Sequence, residues 1–213
     1  MNTFAPNTSI DVIFFDFDGT LVDSAAVKRN CFYSVFPNTP ESRFIVSAVL
    51  FENPEASRYE VIPRMIEEML SKNLPLLQGT TAEIAIETYT HQVLAAVMAC
   101  EEMPGAGRLL AALSTRCTIC IASNTPDGDL RKLVEARNWH ELVKSIDGYP
   151  RRKTDIIRDR LSGFGVSPNR PLVVGDGRSY EQAAEANGCA FLKIAQSGDL
   201  LRLAAMLGIE NVC

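Results

Sequence analysis

The chain has 213 residues, of which 46% are hydrophobic and 22% charged, an ordinary composition for a globular protein with one core, or with a core domain and a smaller satellite. Its formal net charge of −5 argues against nucleic acid or an anionic membrane surface as the main partner. No apolar run in the sequence approaches the roughly 20 residues that a membrane-spanning helix needs.

The first residues and the cysteines favour a cytoplasmic location. The N-terminal stretch MNTFAPNTSID has no basic segment followed by an apolar one, so no secretory signal is expected. Cys117 and Cys120 form a C-x-x-C pattern, but we expect them in a buried strand, where positions three apart point to opposite faces. No second C-x-x-C and no nearby histidine completes a zinc site. Free thiols without a signal fit a reducing compartment.

Short apolar runs predict the strands of a parallel sheet. Near-continuous runs rich in Val, Ile and Phe suit strands that are covered on both faces. In chain order they are IDVIFFD (10–16), TICIAS (118–123), a weaker run SIDGY (145–149), PLVVGD (171–176) and AFLKIA (190–195).

Amphipathic segments of helical length separate the later runs. They span 107–115, 129–138, 154–165 and 179–188. Asp127 is the expected cap of the second segment. Strands that alternate with helices imply right-handed crossovers, and so an α/β fold with a Rossmann-like parallel-sheet core.

The segment that follows the first strand has a different character. It contains no good strand candidate, and helices are predicted at 24–35, 41–51, 55–72 and 81–99. Pro104 and Gly105 mark a natural boundary after it. We therefore predict a core domain formed by 1–22 and 100–213, with a helical domain inserted at 23–99.

Polar residues stand at the ends of three apolar runs. The first run ends in Asp16, the second in Ser123 and the third in Asp176. Because the carboxyl ends of parallel strands share one edge of the sheet, and ligands bind beyond that edge, we expect the three residues to converge in one crevice.

Two acidic residues at the first strand end predict a cation. Asp16 and Asp18 are separated by one residue and can start on the same side of an extended chain. Two carboxylates this close repel each other unless a proton or cation lies between them. With Asp176 as a third carboxylate, the oxygen donors suit Mg²⁺, which also keeps several waters.

Four motifs resemble those of the haloacid dehalogenase-like hydrolase superfamily. DFDGTLVDS resembles its first motif, and ICIASNTP is similar to its second, an apolar strand that ends in Ser or Thr. Lys153 in GYPRRKTD resembles the lysine of the third motif, and LVVGDGRSYEQAAEANG resembles the fourth. The inserted helical segment resembles the α-helical cap of subfamily I.

The resemblance implies an aspartate-based phosphoryl transfer. Asp16 would be the nucleophile, and Asp18 would protonate the leaving group and then activate water. Mg²⁺ would be held by Asp16, by the backbone carbonyl of Asp18 and by Asp176. Phosphate would be bound by Ser123, Asn124, Lys153 and Gly19.

The third and fourth motifs each leave alternatives open. Arg151 and Arg152 stand beside Lys153, and any of the three could serve the phosphate, with Lys153 favoured by its spacing from the preceding Gly and Pro. Members of the family often carry an Asp four residues after the aspartate of the fourth motif. Here that residue is Tyr180, followed by Glu181, which could replace the carboxylate.

The predicted function is Mg²⁺-dependent hydrolysis of a small phosphorylated metabolite. An acid at Asp18 favours phosphoryl transfer over carbon–halogen cleavage, because a halide leaves unprotonated and an alkoxide benefits from a proton. The alternatives are a phosphomutase or phosphonatase with the same Asp16 chemistry, and a catalytically weakened phosphate-binding or regulatory protein. A phosphonatase of this family needs a cap lysine, and Lys28 and Lys72 are the lysines in the predicted cap.

Overall fold

Five parallel strands form the centre of the protein. The structure is a computed structural model that describes residues 10–165 and 171–209. In chain order the strands are β1 (Val12–Phe15), β2 (Thr118–Pro126), β3 (Ser145–Tyr149), β4 (Pro171–Gly175) and β5 (Ala190–Lys193), and their order in the sheet is β3-β2-β1-β4-β5. The predicted α/β fold with a parallel sheet is confirmed.

The central strand β1 pairs with β2 on one side and with β4 on the other. All four of its residues are buried, as a strand covered on both faces requires. Phe15 pairs with Ile121 of β2 and with Val174 of β4. The backbone N–H of Asp16 extends this pairing with a hydrogen bond of 2.9 Å to the Val174 carbonyl. The chain therefore leaves the sheet at Asp16, beside the end of β4.

In the described part of the chain, five helices accompany the sheet. Each predicted segment contains a helix, and one further helix near the C-terminus was not predicted. They are α5 (Ala106–Ser114), α6 (Asp127–Glu135), α7 (Lys153–Phe164), α8 (Arg178–Ala186) and α9 (Asp199–Met206).

The predicted cap of α6 is wrong. The cap position is Pro126, and Asp127 is the first residue of the helix. Its carboxylate instead accepts hydrogen bonds from Arg131, at 2.7 Å, and from the backbone N–H of Gly148, at 3.0 Å. The residue therefore ties the start of α6 to β3.

A second compact unit is entirely helical. The described residues divide into one unit formed by 10–23 with 100–165 and 171–209, and a second formed by 24–99. The helices of the second unit are α1 (Ala25–Ser34), α2 (Pro40–Glu52), α3 (Arg58–Ser71) and α4 (Ala82–Met98). Whether this unit serves as a cap stays a prediction.

Aromatic and cationic side chains join three helices inside the helical unit. Phe32 and Tyr89 stack with their ring centroids 4.1 Å apart, which joins α1 to α4. Arg58 of α3 lies over the Tyr89 ring and donates a 2.8 Å hydrogen bond to the Thr90 hydroxyl.

Among the helices of the described ranges, none has the length and hydropathy of a membrane-crossing segment.

Candidate active site

Asp16 lies directly after β1 and is only 5% exposed. Its Oδ1 accepts a 2.7 Å hydrogen bond from the backbone N–H of Phe17, which fixes the carboxylate at the edge of the sheet. Burial raises the pKa of Asp16 to about 7; the Lys153 ammonium acts against this shift, while the charges of Asp176 and Asp18 add to it. The carboxylate is thus held between one cation and two further acids.

The loop after Asp16 turns Asp18 back toward β2. Gly19 has φ +73°, a conformation that a residue without Cβ adopts readily, and its N–H bonds the Val22 carbonyl at 2.8 Å. The Asp18 Oδ2 accepts a 2.7 Å hydrogen bond from the hydroxyl of Thr125, and the Ser123 hydroxyl lies 3.5 Å from the same oxygen.

Ser123 lies within β2, and not at its end as the sequence suggested. The strand continues to Pro126 with a register shift between Ala122 and Pro126. Since β1 ends opposite Ile121, Ser123 still projects at the edge where Asp16 leaves the sheet. Its side chain is 1% exposed, and its oxygen accepts a 3.1 Å hydrogen bond from the backbone N–H of Thr125.

Thr125 is a site residue that the sequence analysis did not identify. It is 4% exposed and makes the short hydrogen bond to Asp18 described above. A signal was available, because residues two apart in a strand share a face and Ser123 had already been placed at the site. Asn124, between them, is exposed.

Lys153 is the first residue of α7 and brings a positive charge to Asp16. Its side chain is 7% exposed, and its Nζ lies 3.5 Å from the Asp16 Oδ2. The same ammonium donates a 3.0 Å hydrogen bond to the hydroxyl of Ser179, a second residue that the sequence analysis missed.

The neighbouring arginines are directed elsewhere. Arg151 pairs with Asp147 at 2.8 Å and with Asp159 at 2.7 Å. Arg152 is exposed. Of the three candidate cations, Lys153 is the one that the structure brings to Asp16.

The end of β4 and the start of α8 complete the site. Asp176 follows Gly175 and is half-buried. Tyr180 in the first turns of α8 is fully buried, and the Lys153 Nζ lies 3.7 Å from its ring centroid. Burial, and then the charge of Asp16, raise the pKa of the Tyr180 phenol, so the hydroxyl stays protonated. In the same loop Arg178 is exposed.

The oxygen donors at this edge fit Mg²⁺ better than a metal that binds through nitrogen or sulfur. In the described part of the chain, no cluster of three or more His, Cys, Asp or Glu side chains suited to a metal is found. Two mutually repelling carboxylates, Asp16 and Asp176, lie near each other. Mg²⁺ needs few protein ligands because it keeps several waters. The residues that would hold it are Asp16, Asp176 and Asp18, the last through its backbone carbonyl.

The thiols take no part in this site. The five cysteines within the described ranges are free, and Cys213 lies outside those ranges. Burial raises the pKa of the Cys117 and Cys120 thiols to about 11. Both are therefore protonated and poorly nucleophilic near neutral pH.

A family model matches most of the chain. Residues 10–188 match the model described as a hydrolase, haloacid dehalogenase-like hydrolase. The chain belongs to the haloacid dehalogenase-like (HAD) hydrolases. All the site residues described above lie within the matched range, so the resemblance that the four motifs suggested is confirmed and the protein is a hydrolase. A search of curated proteins found no match.

Solved structures share the HAD fold at low sequence identity. A provisionally assigned HAD-hydrolase from Bacillus subtilis, YfnB bound to magnesium, superposes with a TM-score of 0.71 at 14% identity, over 95% of this chain and 100% of that one. A provisional phosphoglycolate phosphatase from Lactobacillus delbrueckii gives 0.67 at 15% identity, over 94% and 100% of the two chains. CbbY from Rhodobacter sphaeroides, in complex with xylulose-(1,5)bisphosphate, gives 0.63 at 20% identity, over 88% and 87%. At these identities the likeness concerns the fold.

Proposed function

We propose that this HAD hydrolase cleaves a small phosphomonoester with Asp16 as the nucleophile. The observation that carries the proposal is the arrangement around Asp16: a buried carboxylate with Lys153 3.5 Å away and a second carboxylate, Asp18, held by the Thr125 hydroxyl. These are the groups that a two-step phosphoryl transfer through a covalent intermediate needs: a nucleophile, a cation for the phosphoryl oxygens and an acid–base.

In the first step an oxygen of Asp16 attacks phosphorus and the bond to the ester oxygen breaks. The ester oxygen leaves with the bonding electron pair and takes the proton of Asp18. The hydrogen bond from Thr125 fixes the Asp18 carboxyl group for this transfer. Lys153 and Ser123 would bind phosphoryl oxygens, because an ammonium and a hydroxyl at the buried edge stabilise the charge on those oxygens.

In the second step water attacks the phosphorus of the aspartyl-phosphate. Asp18, now a carboxylate, accepts the proton of the water, and the bond from phosphorus to the Asp16 oxygen breaks. Inorganic phosphate and the Asp16 carboxylate result, so the enzyme returns to its starting state. A bound Mg²⁺ would supply positive charge that offsets repulsion between the carboxylates and the phosphate.

The helical unit at 24–99 would act as the cap that selects the leaving group, and its small size favours a small phosphorylated metabolite. A phosphonatase reaction would need a lysine amine from this unit to form a Schiff base, and Lys28 and Lys72 are the two lysines in its sequence. Lys72 is half exposed and paired with Glu68 at 2.8 Å. We expect the protein to act in the cytoplasm, without a membrane or nucleic acid as its partner.

Phosphate release from a panel of small phosphomonoesters, with and without Mg²⁺, tests the proposal. We expect metal-dependent turnover by the wild type, and a loss of at least about a thousandfold in the Asp16→Asn variant, since the amide is a poor nucleophile. Arg152→Gln, which changes an exposed charge beside Lys153, serves as the matched control and should turn over normally. Inert wild type that still binds phosphate would favour a phosphate-binding protein instead.

A further inference from the structure

We propose that Tyr180 is a positioning residue of this reaction, whose ring holds the Lys153 ammonium and whose buried hydroxyl donates a hydrogen bond to Asp16 in the course of the reaction. The inference rests on the proposed function and deepens it. It assigns a role to a residue of the site that neither the two-step mechanism nor the metal site requires.

The ring contact concerns the placement of Lys153. The Nζ lies 3.7 Å from the Tyr180 ring centroid, well inside the range in which a cation is attracted to an aromatic face. The same ammonium has Ser179 at 3.0 Å and Asp16 at 3.5 Å. Since Lys153 is only 7% exposed, these three neighbours replace most of the water that an ammonium normally keeps. The ring therefore helps to fix the charge that faces the phosphoryl group.

The place of the ring is specified by the strand beside it. A Cβ added to Gly175 would lie 2.6 Å from the Cγ of Tyr180 and 2.8 Å from its Cδ2, distances that real contacts do not reach. The glycine at the end of β4 thus leaves room for the ring against the backbone. Any side chain at that position would move the ring away from its place under Lys153.

The hydroxyl separates a functional role from simple packing. Tyr180 belongs to a buried cluster with Val12, Ile157 and Val173, where a phenylalanine would fill the same space. Yet its hydroxyl is fully buried and, among the groups that the structure describes, none lies in hydrogen-bonding geometry with it. A buried polar group without a partner is costly, so a purely structural position would favour phenylalanine. The Lys153 ammonium that lies 3.7 Å from the ring centroid is also 3.5 Å from the Asp16 Oδ2, so this carboxylate lies near the phenol and is the acceptor that we assign to its hydroxyl.

Two substitutions at Tyr180 separate the contributions of ring and hydroxyl. Tyr180→Phe keeps the ring under Lys153 and removes the donor. We expect kcat to fall about tenfold to a hundredfold with KM and the affinity for inorganic phosphate unchanged, because a hydrogen bond to the Asp16 carboxylate is lost. Tyr180→Leu removes both, and we expect the Kd for inorganic phosphate, measured by calorimetry on metal-free protein, to rise about tenfold as well.

Thermal unfolding of each variant, and a third variant, keep the test decisive if the leucine variant does not fold. Gly175→Ala retains the tyrosine but displaces its ring, and we expect it to weaken phosphate binding as Tyr180→Leu does. Recovery of phosphate affinity in the phenylalanine variant, without recovery of kcat, is the pattern that a packing role would not produce.

Two results would overturn the inference. Tyr180→Phe with the kcat of the wild type would remove the role of the hydroxyl, and unchanged phosphate affinity in both Tyr180→Leu and Gly175→Ala would remove the role of the ring. An inactive wild type would instead count against the proposed hydrolysis, and the phosphate titrations would still decide whether the ring positions Lys153.

Discussion

Opposing interactions act on the Asp16 carboxylate. It is only 5% exposed, close to the fully buried core residues around it, yet the proposed chemistry needs it charged. Burial and two neighbouring acids disfavour the carboxylate, whereas Lys153 and the Phe17 N–H favour it, and the resulting pKa is about 7. In the metal-free folded protein, ionisation of the proposed nucleophile therefore costs free energy.

This cost predicts a pH dependence of stability. The folded protein keeps the Asp16 proton up to about pH 7, whereas the ordinary value for the group is 3.8. Between these values the folded state binds more protons than the unfolded state, so the free energy of unfolding falls as the pH rises. Asp16→Asn has no such loss. We expect its stability relative to the wild type to increase by about 3 kcal/mol from about pH 5 to about pH 8 in metal-free buffer.

Urea unfolding of both proteins at several pH values measures this difference. Asp129→Asn, which removes a carboxylate of the surface helix α6, is the control and should differ little from the wild type across the same range. A difference between Asp16→Asn and the wild type that stays constant with pH would show that the carboxyl group of Asp16 is not perturbed by burial.

Thr125 is expected to control the acid–base step through Asp18. Thr125→Val keeps the branched side chain in β2 but removes the donor that lies 2.7 Å from the Asp18 Oδ2. A hydrogen bond to a charged group contributes about 1.5–3 kcal/mol, so we expect kcat to fall about tenfold to a hundredfold. Thr125→Ser, which keeps the hydroxyl, should retain most of the activity. Steady-state kinetics with Thr125→Val at the rate of the wild type would contradict this role.

At the level of elements, an ion-pair cluster joins β3 to α7 and so sets the position of Lys153. Asp147 in β3 is 4% exposed and accepts hydrogen bonds from Arg160 Nε at 2.9 Å, Arg160 Nη2 at 2.7 Å and Arg151 Nη1 at 2.8 Å. Although burial acts to raise its pKa, the two guanidinium groups hold the pKa of Asp147 below its usual range. The carboxylate is therefore charged at neutral pH.

Removing this charge should destabilise the protein. Asp147→Asn leaves two partly exposed guanidinium groups without their shared partner, and we expect a loss of about 2 kcal/mol in the free energy of unfolding at neutral pH. Asp159→Asn, which removes the exposed partner of Arg151, should cost less than about 0.5 kcal/mol. Because the pKa of Asp147 is lowered on folding, its contribution is present at neutral pH and is lost as the pH falls through that lowered value. Equal losses in the two variants, by urea unfolding, would contradict the account.

The sequence predicts the elements better than the contacts between them. The strands of the sheet could be predicted because each is a short apolar run bounded by polar residues, and β1 and β4 agree with their runs to within a few residues. The length of β2 could not, since the polar residues Ser123 and Thr125 look like the end of a strand. The short helix α9, with 8 residues, was also missed.

For the site too, the sequence predicts individual residues better than the contacts between them. Asp16, Asp18 and Asp176 stand in a recognisable local pattern, and the polarity of parallel strands brings two of them to one edge. The pairing of Thr125 with Asp18 joins residues 107 positions apart, and the contact of Lys153 with Ser179 joins residues 26 apart. Such contacts depend on side-chain directions and on the register of whole elements, which local patterns do not encode.

For the molecule as a whole, metal binding and folding should be linked. A ligand that binds the folded state alone stabilises it by mass action. We expect millimolar Mg²⁺ to raise the melting temperature of the wild type, with a larger shift above pH 7, where Asp16 is ionised. Asp176→Asn should lose most of the shift, because it removes a proposed ligand. Differential scanning calorimetry measures both, and an identical shift in Asp176→Asn would contradict the assignment of Asp176.

The central claim is that the phosphoryl group is transferred to Asp16. Trapping the aspartyl-phosphate intermediate tests this claim most directly. In Asp18→Asn the second step lacks its base, and an aryl phosphate with a good leaving group does not need the acid of the first step. We expect a rapid burst of one phenolate per protein, slow turnover afterwards, and phosphate attached to Asp16 by mass spectrometry of the quenched protein. Burst and adduct should both be absent from Asp16→Asn. Hydrolysis by Asp16→Asn at the rate of the wild type, or a phosphorylated residue other than Asp16, would contradict the account.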